Sequence, residues 1–337
     1  MPTTNQRRFA GLCITWDASA LSVDPFAPVM PLDGVEPDRE AGNSAPTTLH
    51  VRASAAAEPL ANPAEQGAIP VLFHGKTRCF LDHGALVLWD GASRLRISPD
   101  GHLIEAEVHD SSLEHVFHFS SVSVMMALLL ALRHHGLFHL HASACTWPDG
   151  QTWVIPGESS SGKSTLALAA FASGARWISD DALLLRVTAG TGTIELAGWA
   201  RLIRLTTRTA DAFPALRPLL TPCPAGSARD FELDPRAAFP GLGSALARPP
   251  ITLIFPRIAE ASTSRITPLD NAEAFGRALH ACAWVASEHV PRRTEQLDAL
   301  ARLIAGARAF ELHASARVLH DPRGAIDELR ALLATPA

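Results

Sequence analysis

The sequence predicts an α/β fold, a mixed β-sheet with flanking helices, on three observations. Residues 157–165 read Gly-Glu-Ser-Ser-Ser-Gly-Lys-Ser-Thr and satisfy the phosphate-loop pattern GxxxxGK[ST]. The apolar run Trp153-Val154-Ile155 enters this loop like a buried strand, and Leu166 to Phe171 leave it as strong helix formers, so the context is strand, loop, helix. Upstream, short apolar alternations between Val71 and Val108 are broken at Asp82-His83-Gly84, Asp90-Gly91 and Pro99-Asp100-Gly101, the spacing of a β-meander.

The remaining elements follow in order. Residues 9–23 read as one or two short strands, and about 24–70 as a proline-rich, loop-like and partly mobile segment. Ser120 to His135 predicts a helix ended by Gly136. In Leu137 to Cys145, period two puts His139, His141 and Ser143 on one face, and a turn at Pro148-Asp149-Gly150 returns the chain as the strand that feeds the loop. Gly174 caps the helix after the loop, Arg176 to Ser179 is a short strand, and Ala182 to Val187 continues it into a hairpin with Thr193 to Ala197. Residues 198–205 suit a further strand, and about 210–250 is again proline-rich, the composition of a lid or substrate loop. Strands at 251–255, 264–268 and 309–313 alternate with helices at 270–289, 293–306 and 324–333. The expected division is a β-rich region over 1–120 and a catalytic domain over 121–337.

Bulk properties bound the function. With 337 residues and 47% hydrophobic composition the chain can bury a large core. A net charge of −5 and the lack of any basic run argue against a nucleic-acid partner. Five widely spaced cysteines with no CxxC pair indicate neither a disulfide framework nor a zinc ribbon, which favours a reducing, cytoplasmic setting. The residues after Arg7 and Arg8 are too polar for a signal sequence, and the apolar stretch Val122–Leu132 falls short of the roughly twenty residues of a bilayer span, so no membrane role is expected.

The chemistry lies in the loop and the acids. Backbone N–H groups of Gly157, Glu158, Ser159, Ser160, Ser161 and Gly162 would cradle phosphate oxygens, aided by the positive end of the helix that follows. Lys163 would reach the β- and γ-phosphates and Ser164, beside Thr165, would hold Mg²⁺. Asp180 and Asp181 lie sixteen and seventeen residues past Ser164, a distance that suits one helix, one turn and one short strand back to the loop. Two such carboxylates can divide the work, one orienting Mg²⁺ and one taking a proton from a hydroxyl nucleophile. Adjacent strand residues face opposite ways, so a bulge or turn must bring both in; otherwise only one is catalytic. His141 borders the loop through its hairpin and could pair with an aspartate or touch the transferring phosphate, with His139 and Ser143 on the same face. Cys282 and His289 at i and i+7 read as core and surface residues.

The segment His141-Ala-Ser-Ala, the loop GESSSGKST and Gly174-Ala-Arg-Trp-Ile-Ser-Asp-Asp181 together resemble the HPr kinase/phosphorylase catalytic domain, and more closely the HPr-kinase-like proteins found beside peptide-modification genes, lasso-peptide kinases included. The match covers about residues 139–185. It implies a phosphate-loop kinase with a fold akin to phosphoenolpyruvate carboxykinase, using ATP and Mg²⁺ to phosphorylate a serine or other hydroxyl of a peptide or protein. Carried over by position, Lys163 and the loop bind ATP, Ser164 and Asp181 serve the metal, Asp180 is the base and His141 lines the site. Two departures stand out: Ser160 occupies a position where the family usually has glycine, and the Glu-x-Arg-Gly signature is replaced around Gly198-Trp199-Ala200-Arg201-Leu202-Ile203-Arg204. The resemblance therefore carries neither phosphorylase activity nor HPr as substrate, and leaves Arg201 or Arg204 as a phosphate clamp. A small-molecule hydroxyl kinase and a non-catalytic nucleotide-binding accessory protein are the alternatives; self-association is left open.

Overall fold

Residues 5–31, 47–188, 190–239, 246–247, 249–259, 263–282 and 287–334 are described by the structure, a computed structural model. They form mixed α/β architecture with flanking helices, divided into two units. The first comprises Met1–Phe138, Pro224–Ser227 and Trp284–Thr294; the second comprises His139–Cys223, Ala228–Ala283 and Glu295–Ala337. The helix expected to open a domain at residue 121 therefore goes with the N-terminal unit.

The first unit is built on eight strands: β1 (Asn5–Phe9), β2 (Leu12–Asp17), β3 (Thr47–Ala56), β4 (Ile69–His74), β5 (Thr77–Asp82), β6 (Ala85–Trp89), β7 (Arg94–Ile97) and β8 (Leu103–His109), ordered β1-β2-β3-β8-β7-β6-β5-β4. Strands β4 to β8 form the expected meander, each antiparallel to the next. Strand β3 corrects the loop-like reading of 24–70. It runs parallel to both β2 and β8, with Leu49 and Val51 buried between exposed neighbours, a one-sided pattern that its alanines and hydroxyls hide from propensity. The rest of that reading, from 32 to 46, lies outside the described residues. A helical run over Val116–His134 contains a π-helical stretch, Phe119–Val124, and helix α1 (Met125–His134), which packs on β7 and β8. By length and composition it could cross a membrane, but 72% of its most apolar window is buried, as suits a core helix.

The second unit contains β9 (Phe138–Leu140), β10 (Ala142–Thr146), β11 (Thr152–Pro156), β12 (Arg176–Ser179), β13 (Leu183–Val187), β14 (Ile194–Gly198), β15 (Ile203–Leu205), β16 (Leu220–Pro222), β17 (Phe231–Leu233), β18 (Leu246–Ala247), β19 (Ile251–Ala259), β20 (Arg265–Pro268) and β21 (Ala307–Ser315). Its main sheet has the order β12-β10-β11-β19-β21-β20 and is mixed: β11 is antiparallel to β10 and parallel to β19. Helix α2 (Lys163–Ala172) buries Leu166, Leu168 and Phe171 in a core shared with Trp153, Ile155 and Trp177, each such side chain contributing about 1.5–3 kcal/mol. It ends as Gly174 predicts: Gly174 N–H donates to Phe171 O and Ala175 N–H to Ala170 O, a Schellman cap.

Four expectations change here. The strand drawn over 137–145 is two strands: β9 belongs to a four-stranded sheet ordered β18-β14-β13-β9, β10 to the main sheet, and the chain switches sheets at His141. In the same way β13 does not continue β12; a turn at Asp180 and Asp181 sends the chain from the main sheet to the second. The stretch after residue 210 is structured as far as 239, with Thr207–Ala212 helical and β15, β17 and β16 forming a small sheet. The helix expected over 270–289 ends at His280, so Cys282 and His289 share no helix.

Candidate active site

The phosphate loop joins the buried strand β11 to helix α2. Gly157 and Gly162 have φ of 158° and 100°, and a Cβ on Gly157 would stand 2.7 Å from Ser161 Oγ, so both positions exploit the absent side chain. Ser160 does not: it is left-handed at φ 69°, a conformation that costs a non-glycine residue about 1–2 kcal/mol. Lys163 lies buried under the loop and donates to Glu158 O at 2.9 Å.

The two aspartates do converge. Asp180 directly follows β12; Asp181 has φ 66°, and Ala182 N–H donates back to Asp180 O at 2.9 Å. A left-handed centre with an i to i+2 hydrogen bond is a strained γ-turn, and it supplies the bend that adjacent strand residues need to face one site. The turn is secured downstream by Ser179 Oγ and Trp199 N–H, both donating to Ala182 O. Asp180 is buried and accepts from Ser143 Oγ at 2.5 Å and from Ser164 Oγ at 3.0 and 3.1 Å. Asp181 keeps 37% of its side chain exposed and faces three basic side chains: His141 Nε2 at 3.2 Å, Lys163 Nζ at 3.7 Å and Arg201 at 3.8 Å.

Those surroundings drive the two acids apart. Burial, then the charge of Asp181, pushes Asp180 up to about 6. Burial also raises Asp181, but the His141 hydrogen bond with the charges of Arg201 and Lys163 outweighs it and holds Asp181 well below the usual carboxylate range. Lys163 is lowered by burial, which the two aspartates partly offset.

A cavity of about 380 Å³ opens over the loop, lined by Ser159, Lys163, Ser164, Asp181, Arg204 and Arg229 among others. Of the two arginines expected as clamps, Arg201 pairs with Asp181, whereas Arg204 pairs with Glu232 at 3.2 Å and lines the cavity. Sequence reasoning missed Arg229, which donates to Ser159 Oγ at 3.0 Å. Its signal was weak, a lone arginine inside the proline-rich segment read as a substrate loop. Ser143, placed with His141 on one face by the sequence, enters the site through its contact with Asp180.

Among the described residues no group of three or more His, Cys, Asp and Glu side chains could hold a metal. The oxygens of Ser164 and Asp180 nonetheless suit Mg²⁺, a hard cation bound through one or two carboxylates together with substrate phosphates and water. Compared with protein-family models and with curated proteins, the chain matches none.

Proposed function

We propose that this protein is a kinase of the phosphate-loop type that transfers the γ-phosphoryl group of ATP to a serine or other hydroxyl of a peptide or protein, in the manner of the HPr-kinase-like proteins its loop region resembles. The observation that carries the reading is the convergence of two carboxylates of opposed proton affinity on the loop, one accepting from Ser164 and one 3.7 Å from Lys163. A protein that only senses nucleotide has no use for a buried aspartate whose proton affinity is raised towards neutrality.

In this reading the loop N–H groups and Lys163 hold the triphosphate, and Arg204 and Arg229 add charge at the cavity rim. Bound between Ser164 and the acids, Mg²⁺ would neutralise charge on the β- and γ-phosphates. Asp180 accepts the hydroxyl proton, the acceptor oxygen bonds to the γ-phosphorus, and the bond to the bridging oxygen breaks to release ADP. Asp181, kept anionic, and His141 orient the groups around the transferring phosphoryl. Positioning and charge neutralisation carry most of the acceleration in such transfers.

The test incubates the purified protein with labelled ATP and Mg²⁺ against a serine-containing peptide library and free serine. Label on peptides, lost in Asp180→Asn, is the expected result. Label on free serine alone would indicate a metabolite kinase, and ATP binding with no transfer would leave only a nucleotide-binding accessory protein.

A further inference from the structure

The γ-turn at Asp181 is strained, and its central carbonyl is held by a side chain. His139 is partly buried, and its ring Nε2 lies 3.3 Å from the Asp181 carbonyl oxygen. A carbonyl only accepts, so Nε2 carries the proton, and Nδ1 has no hydrogen-bond partner among the described residues. No other group among those residues donates to that carbonyl. The histidine is itself fastened, since Gln296 Nε2 donates to His139 O at 3.3 Å.

We propose that His139 is a positioning residue: through the Asp181 carbonyl it keeps the turn left-handed and so keeps both carboxylates aimed at the phosphate loop. The inference rests on the kinase reading. Without this hydrogen bond the Asp181 peptide relaxes towards extended backbone, and alternation then turns one of the two side chains away from the loop. His139 touches neither nucleotide nor acceptor; it acts through Asp181.

Two substitutions separate this role from packing. His139→Leu fills the space with an apolar side chain and removes the donor, whereas His139→Gln places an amide N–H near the position of Nε2. Calorimetry would measure ADP affinity for each variant and the wild type, without metal and with Mn²⁺. Metal-free affinity should be unchanged in both variants, because the loop and Lys163 are untouched. The gain in affinity on adding Mn²⁺ should fall on the order of 10-fold in His139→Leu and stay near wild type in His139→Gln. For phosphoryl transfer, kcat should drop about 10- to 100-fold in the leucine variant with the KM for ATP nearly constant, and return with glutamine. A leucine variant that keeps the full Mn²⁺ gain, or a glutamine variant no better than leucine, overturns the proposal. A wild-type protein with no Mn²⁺ gain overturns the metal-assisted kinase reading first and this inference with it. Should His139→Leu fail to fold, His139→Asn, whose amide falls short of the carbonyl, makes the same comparison with glutamine.

Discussion

The arginine–carboxylate pairs on the sheet of the N-terminal unit and the charged groups at the mouth of the phosphate loop use the same side-chain types to different effect. On the sheet the acids pair singly with arginines: Arg94 with Glu107 and Arg96 with Asp82, all part-exposed, and the Arg96 hydrogen bond holds Asp82 below its ordinary range. At the loop two carboxylates are forced side by side, one buried, one ringed by three basic groups, and their proton affinities separate. The contrast lies in arrangement and not in the density of charge: adjacent carboxylates in unequal surroundings titrate apart, whereas single pairs do not. Ser160 and Asp181, both left-handed without being glycine, lie at the loop and its acids.

The comparison can be broken most forcefully at Asp180. Asp180→Asn should lower kcat by about 10² or more, since it removes the proton acceptor, and yet raise the melting temperature at pH 7.5. The sign follows from linkage. A carboxyl whose proton affinity is raised by folding favours the folded state fully below its unfolded value near 3.8, and that contribution is lost as pH rises through about 6. At pH 7.5 the wild type carries a buried ionised group that asparagine lacks. A variant both slower and less stable would place Asp180 with the ordinary ion pairs of the sheet.

The pH profile sharpens the same point at smaller amplitude. kcat/KM should climb as pH rises through about 6 and then level off, as Asp180 loses its proton. Asp181→Asn should move that midpoint to lower pH, because the neighbouring negative charge is one of the causes that raise it. A flat rate between pH 5 and 8 would remove Asp180 from the role of base.

At the loop itself, Ser160→Gly should stabilise the protein by up to about 1 kcal/mol in denaturant melts, through relief of the left-handed serine. The smallest effect belongs to the sheet: Glu107→Gln should change stability by less than about 1 kcal/mol and leave transfer rates alone, as expected of a part-exposed pair.

Much of the fold is legible in local sequence. The phosphate loop is a local object, made by residues adjacent in sequence, and its strand, helix and Gly174 cap follow from neighbours within a few positions. The meander of β4 to β8 is equally local, because each turn signal joins strands that pair with the next. Strand β3 was not legible: its partners β2 and β8 are far along the chain, and its run of alanine and hydroxyl residues has little strand propensity. Nor was Arg229, whose contact with Ser159 spans seventy residues.

The sequence by itself determined that a glycine-bounded loop joins a buried strand to a helix and that two acids return to its vicinity, because motif spacing and element length are short-range properties of the chain. Only the tertiary structure decided how the acids face: β12 and β13 belong to different sheets, and the left-handed turn between them directs Asp180 to Ser164 and Asp181 to Lys163 and His141. Period-two alternation on one strand would have separated them. A switch of sheets, stabilised by hydrogen bonds from His139, Ser143 and Trp199, is a property of distant segments meeting, which no local pattern encodes.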